Sequence, residues 1–104
     1  MRLEQYPAEK LKEEVLRIIG KRLDLRTHTV FFFGSRVSGG GGERSDIDVG
    51  VEGPEKIPSG IWLDIQEEAR DIPTLYEVEM VDFRRVSEKF RRIALRDIEV
   101  INKP

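Results

Sequence analysis

Two short motifs gather the residues of this chain that could do chemistry. Gly34-Ser35 closes an apolar run, and Ser45-Asp46-Ile47-Asp48 follows it after four consecutive glycines, Gly39 to Gly42. A glycine lets the backbone approach a phosphate closely, and the serine hydroxyl and following N–H groups can donate to its oxygens. Arg36 can add charge-assisted hydrogen bonds to the same anion. Asp46 and Asp48, at i and i+2 of an extended segment, leave one face about 6 to 7 Å apart along the backbone. Their carboxylates can converge on one or two divalent cations, and such oxygen ligands suit Mg²⁺ or Mn²⁺ rather than zinc. A phosphate cradle beside a metal-binding acid pair supplies parts for metal-assisted phosphoryl or nucleotidyl transfer.

A complete site of that kind needs a third carboxylate from a neighbouring strand. Leu75 to Phe83 (LYEVEMVDF) offers Glu77, Glu79 and Asp82. Glu77 and Glu79 share one strand face, whereas Asp82 has the opposite parity and stands near the strand's end. Glu79 is the candidate, because it lies within the strand and its face can match that of the Asp pair. Each part alone is weak: a glycine tract is more often a flexible loop, and acids at alternate positions often line a solvated sheet face. In this order, with a short loop between them, they are far more specific.

The surrounding pattern describes the elements that must hold these residues. Ala8 to about Leu23 carries Leu11, Val15, Ile18, Ile19 and Leu23 at helical spacing, with Pro7 near the first turn. Thr29 to Phe33 reads as a strand buried on both faces, followed by a short helical turn at Ser35 to Ser38 and a loop to Arg44. Asp46 to Val51 alternates acidic with apolar residues as a strand does. Ser59 N-caps a helix through about Arg70, with Ile61, Ile65, Glu68 and Ala69 on one side, Trp62 adjacent and Pro73 beyond. Leu75 to Phe83 is a third strand, Val86 to about Arg96 a last helix, and Ile98 to Ile101 fits a strand or a helix tail equally. The expected fold is α/β (α+β), a small mixed sheet packed with helices in the order α-β-(loop)-β-α-β-α.

Size and composition bound the reading further. The 104 residues suit one domain, 1–104, with one core and no separate recognition lobe. Eighteen Lys and Arg against twenty Asp and Glu give a formal charge of −2, so no general attraction to nucleic acid operates. Arg85, Lys89, Arg92 and Arg96 could form a basic stripe for RNA, but an ordinary solvated helix face is favoured. The lack of cysteine and of any membrane-length apolar run points to a soluble cytoplasmic setting. His28, Trp62 and Phe31 to Phe33 read as packing residues, and Tyr76 could approach a base as a minority reading.

Gly34-Ser35, Gly39 and Ser45-Asp46-Ile47-Asp48 resemble the signature of the DNA polymerase β-type nucleotidyltransferase superfamily. At this length the chain looks most like the minimal nucleotidyltransferases, the MNT antitoxins encoded beside HEPN-domain toxins. The resemblance implies that Gly34 and Ser35 hold the β- and γ-phosphates of a nucleotide, with Arg36, Gly39 and Ser45 also on the nucleotide side. It implies that Asp46, Asp48 and Glu79 bind two Mg²⁺ or Mn²⁺ ions, Glu79 standing where the family usually has aspartate. The implied reaction moves NMP, AMP from ATP, onto an acceptor hydroxyl, such as a tyrosine of a HEPN toxin that is thereby neutralised. Ser38 stands where members often carry a second arginine. Ser38 and Glu79 together favour the alternative, an antitoxin of this fold that neutralises its partner by binding alone. A nucleic-acid-binding domain is the third reading.

Overall fold

The computed structural model describes Leu3, residues 6–38 and residues 46–104. Helix α1 (Ala8–Gly20) opens on Pro7, whose carbonyl takes the Leu11 N–H. Its buried residues Leu11, Val15, Ile18 and Ile19 form the stripe read from the sequence. A final hydrogen-bonded turn reaches Leu23, whose N–H donates to the Ile19 carbonyl. Strand β1 (Thr29–Phe33) and the short helix α2 (Ser35–Ser38) occupy the predicted segments. Strand β2 (Ile47–Glu52) is followed by helix α3 (Ser59–Arg70), strand β3 (Val78–Asp82), helix α4 (Glu88–Ala94) and strand β4 (Glu99–Asn102).

The strands form one mixed sheet in the order β3-β2-β1-β4, with β1 antiparallel to β2 and β4, and β2 parallel to β3. Parallel pairing needs a crossover, and α3 supplies it. Alternate residues then feed two cores. Val30 and Phe32, Ile47, Val49 and Val51, and Val78 and Met80 pack against α1 and α3. Phe31, Phe33 and Phe83 lie on the opposite face, with Val81 beside them and Val86, Ala94 and Leu95 of the α4 region above. Phe83 meets Phe31 and Phe33 edge-on, at 4.8 and 5.1 Å between centroids. Gly50 makes room for this aromatic group, since a Cβ there would overlap the rings of Phe31 and Phe83. None of the described helices is long and apolar enough to cross a membrane.

Three departures from the sequence reading have local causes. Pro58, not Ser59, caps α3, its carbonyl accepting the Trp62 N–H, so Ser59 becomes the first helical residue. Strand β3 is shorter than Leu75 to Phe83 because a turn precedes it: the Thr74 N–H reaches the Ile72 carbonyl, and the Thr74 hydroxyl accepts from the Tyr76 N–H. Helix α4 starts later than Val86, because the Ser87 hydroxyl accepts from the Phe90 N–H and caps it. The ambiguous C-terminal segment is an edge strand.

Glu68, expected among the apolar residues of α3, is the hub of the α1–α3 seam. Its carboxylate takes Lys21 at 2.8 Å, Arg22 at 2.8 Å and Arg17 at 3.1 Å. The hydrogen bonds from Lys21 and then Arg22 hold its pKa down, from the ordinary 4.5 to about 2. A carboxylate with a depressed folded pKa stabilises the fold above its unfolded pKa and loses that contribution as pH falls through the folded value. Glu68→Gln is therefore expected to unfold at lower urea than the wild type near neutral pH, with the gap closing between about pH 4.5 and about pH 2. Urea midpoints that differ by the same amount at every pH would refute this.

Candidate active site

The residues able to do chemistry gather on the aromatic face of the sheet, where β1 ends and β2 and β3 begin. Register sets them abreast: Phe33 pairs with Asp48 across the antiparallel β1–β2 ladder, and Asp48 pairs with Glu79 across the parallel β2–β3 ladder. Paired residues share a face, so the Asp48 and Glu79 side chains rise side by side. Asp46 stands exposed just before β2, Asp48 is half-buried and Glu79 is exposed.

These carboxylates act on one another. The Asp48 pKa is pushed up from 3.8 to about 6, first by burial, then by the charge of Glu79 and then by that of Asp46. Gly34 explains how a carboxylate fits so close to the preceding strand. It ends β1 with φ of 85°, and a Cβ on it would overlap Asp48 Oδ2. Only glycine combines that backbone angle with that empty space. From Gly34 the chain turns directly into α2, with the Val37 N–H returning to the Gly34 carbonyl.

Ser35 is exposed at the first position of α2, and Arg36 follows it, half-buried. The Arg36 guanidinium carbon lies 4.7 Å from the centroid of the Tyr76 ring. The structure therefore brings together Gly34, Asp46, Asp48 and Glu79, with Ser35 next in the chain, while the Arg36 side chain turns to Tyr76. Gly39 and Ser45, and the side chain of Ser38, lie outside the described residues.

The other acids of the third strand have different places. Asp82 is buried on the opposite face, where it accepts the Ile57 N–H at 2.9 Å and the Arg84 N–H at 3.0 Å, with Arg85 Nε 3.3 Å away. It ties the end of β3 to the loop before α3. Glu77 is exposed before β3, and its carbonyl accepts the Ile47 N–H. Tyr76 is buried under Arg36 rather than presented to a base. His28 is buried too, with Nδ1 2.8 Å from the Asp24 carbonyl oxygen, so its role is in the loop before β1.

Nor do the four basic residues make one stripe. Helix α4 covers only Glu88–Ala94, which leaves Arg85 before it and Arg96 after it. Arg85 is engaged with the Ile57 carbonyl at 2.6 Å as well as with Asp82.

Two cavities flank the acids. One, of about 680 Å³, runs from Gly34, Asp48 and Glu79 to α4, with Phe33, Val81, Phe90 and Ile93 as an apolar wall. Phe90 and Ile93 keep 42% and 51% of their surface exposed, much for large apolar side chains. The other, of about 410 Å³, follows the outer edge of β3 past Tyr76, Glu77 and Glu79. The apolar cavity was not legible in the sequence, where Val86 to about Arg96 reads simply as a last helix.

By donor type, the acids fit a hard divalent cation. Among the described residues no three His, Cys, Asp or Glu side chains converge as a ready-made cage. Two exposed carboxylates beside a half-buried one nevertheless make an open set, and Mg²⁺ is commonly held by one or two carboxylates together with substrate phosphates.

Comparison with known proteins places this geometry. A toxin–antitoxin structure determined with AMP-PNP superposes with a TM-score of 0.73 at 15% identity, over 89% of this chain and 73% of that one. A chain from the complex of tri-AMPylated Shewanella oneidensis HEPN toxin with MNT antitoxin gives 0.68 at 15% identity, over 92% and 72%. The MntA–HepT toxin–antitoxin gives 0.67 at 15% identity, over 92% and 73%. At such identities the likeness is one of fold. No curated protein sequence matches this one. The family model for the polymerase β nucleotidyltransferases matches residues 13–103, nearly the whole chain. The chain accordingly belongs to the polymerase β nucleotidyltransferase family, and its fold is that of a minimal nucleotidyltransferase.

Proposed function

We propose that the protein transfers a nucleoside monophosphate, AMP from ATP, to a hydroxyl on a HEPN-domain partner and so acts as an antitoxin. The observation that carries the reading is the crowding of Asp48 between Glu79 and Asp46, beside a glycine that leaves space for that carboxylate alone. Holding like charges together costs free energy, and a site that does so is a candidate for cation binding or catalysis. Asp46, Asp48 and Glu79 would hold two Mg²⁺ or Mn²⁺ ions, which when bound stabilise charge on the attacking and leaving oxygens.

The chain's own residues have separate tasks in this scheme. Gly34 and Ser35 bind the β- and γ-phosphates, with Arg36, Gly39 and Ser45 on the same side. The acceptor oxygen bonds to the α-phosphorus as the bond to the bridging oxygen breaks, and pyrophosphate leaves toward Ser35 and Arg36. Glu79 receives the acceptor's proton. In-line displacement puts the acceptor opposite the leaving group, and the cavity walled by Phe90 and Ile93 gives it a place. An apolar wall suits an aromatic hydroxyl such as tyrosine. The exposure of Phe90 and Ile93 supports a protein partner at that end. The comparison structures support the same class, one bearing AMP-PNP and one an AMPylated HEPN toxin. A cytoplasmic setting and a single domain spanning 1–104 belong to the reading.

Glu79, one methylene longer than aspartate, favours the second reading of neutralisation by binding alone. Incubation with α-labelled ATP, Mg²⁺ and a HEPN-domain partner separates the two. Label is expected on the partner with wild type and not with Asp46→Asn. A stable complex that never becomes labelled would replace the first reading by the second.

A further inference from the structure

Arg84 to Asp97 carries six Lys and Arg against two acids, Glu88 and Asp97, in a chain whose formal charge is −2. Three of the six are engaged inside the molecule: Arg84 with the Gly53 carbonyl, Arg85 with the Ile57 carbonyl and Asp82, and Arg91 with both Glu52 oxygens. Lys89, Arg92 and Arg96 have no hydrogen-bond or ion-pair partner among the described residues. These cations border an apolar surface. Phe90 leans on Phe33 and Phe83, with ring centroids 6.1 and 6.0 Å apart, yet it and Ile93 stay exposed. Lys89 stands three residues before Arg92 and four before Ile93, so the three share one side of α4. Helix α4 has seven residues and none of them is buried, and a helix that short has little stability of its own. We propose that this side of α4 is the docking surface for the protein that supplies the acceptor hydroxyl, and that it takes an acidic surface with an apolar centre; this rests on the protein-partner reading of the site. Charge complementarity and the apolar centre together select that occupant. A nucleic acid would meet the cations but leave Ile93 against sugar and phosphate, since an aliphatic side chain has no face on which a base stacks. A second copy docked through the same face would set like charges against each other. An acidic protein surface answers both features, with carboxylates at the rim and apolar side chains over Phe90 and Ile93. Phe90, Ile93 and Arg96 also line the cavity that reaches Asp48 and Glu79, so a protein docked here holds its acceptor beside the acids.

The test measures the dissociation constant of the complex with a HEPN-domain partner, with α,β-methylene-ATP and Mg²⁺ as the comparison ligand. Lys89→Glu and Ile93→Asp are each expected to weaken the complex roughly tenfold or more. Lys89→Glu is expected to leave α,β-methylene-ATP binding unchanged, which also shows that the variant is folded. Lys10→Glu makes the same charge change at an exposed position of α1, across the sheet from α4, and is expected to bind the partner as wild type does. Added salt is expected to weaken the wild-type complex more than the Lys89→Glu complex. Equal losses in Lys89→Glu and Lys10→Glu would reduce the effect to net charge and overturn the proposal. Partner affinity that Lys89→Glu and Ile93→Asp leave intact overturns the docking surface alone. Binding of single-stranded oligo(U) that Lys89→Glu abolishes, with partner affinity unmoved, gives this face to nucleic acid instead. A wild type that forms no complex with the partner overturns the protein-partner reading itself, and this surface with it.

Discussion

Asp48→Asn is expected to be more stable than the wild type near pH 7.5 and inert in transfer. The reason is the pKa of about 6 that burial, Glu79 and Asp46 impose on this carboxyl. An acid whose folded pKa lies above its unfolded 3.8 favours the folded state most when protonated. Its ionisation therefore costs stability in full above about pH 6, in part between the two values, and not at all below the lower one. Linkage over a shift of this size gives about 3 kcal/mol, and solvent screening of a half-buried group reduces that to about 1 kcal/mol. Asparagine removes the charge without removing volume. Thermal unfolding in chelator should show the variant ahead near pH 7.5 and the advantage gone near pH 4. An advantage of constant size across that range would refute this origin. The same substitution removes a proposed metal ligand, so transfer to the partner should fall by about 10² to 10⁴.

Gly34→Ala should lose activity with the opposite effect on stability. The φ of 85° costs an alanine about 1 to 2 kcal/mol, and its Cβ would occupy the place of Asp48 Oδ2. The carboxylate must turn away, while the backbone that carries the Ser35 and Arg36 N–H groups is strained. A displacement of about 1 Å at a reacting centre is worth roughly 10²-fold in rate, and at least that loss is expected. Unfolding temperature and transfer rate, measured on the same preparation, check both halves. Transfer within about threefold of wild type would show that Asp48 does not need the space Gly34 leaves. Together the two variants separate stability from function: one gains stability, the other loses it, and both lose transfer.

The parts legible in the sequence were those governed by neighbours in the chain. Thr29 to Phe33 stands out because β-branched and aromatic residues run without interruption into Gly34, and the structure begins and ends β1 at those bounds. Parity put Asp48 and Glu79 on faces that could match, but nothing local could say that they are direct partners across a parallel ladder. That pairing depends on how far α3 carries the chain before it returns. The start of β3 was misplaced because Leu75 and Tyr76 alternate like strand residues while the Thr74 hydroxyl holds a turn there. The placing of the Arg36 guanidinium over the Tyr76 ring is a tertiary contact with no trace in spacing. Arg85 falls at the spacing of a solvated helix face, but its partners, Asp82 and the Ile57 carbonyl, lie outside the helix and far along the chain or across a turn, where spacing cannot show them.

The pairing of Phe33 with Asp48 also bears on how such a site can diversify. Gly34 and the acid strand are held together by backbone hydrogen bonds between β1 and β2, a ladder that runs from Thr29↔Glu52 to that last pair. The distance between the Gly34 turn and the carboxylates is therefore inherited from sheet register and is indifferent to the number of residues connecting them. Insertions or deletions between the two strands would change what surrounds the reacting atoms while the reacting atoms keep their spacing. What such a change would touch is the proposed contact of Gly39 and Ser45 with the nucleotide, so the connection can tune what is bound while the carboxylates keep their places.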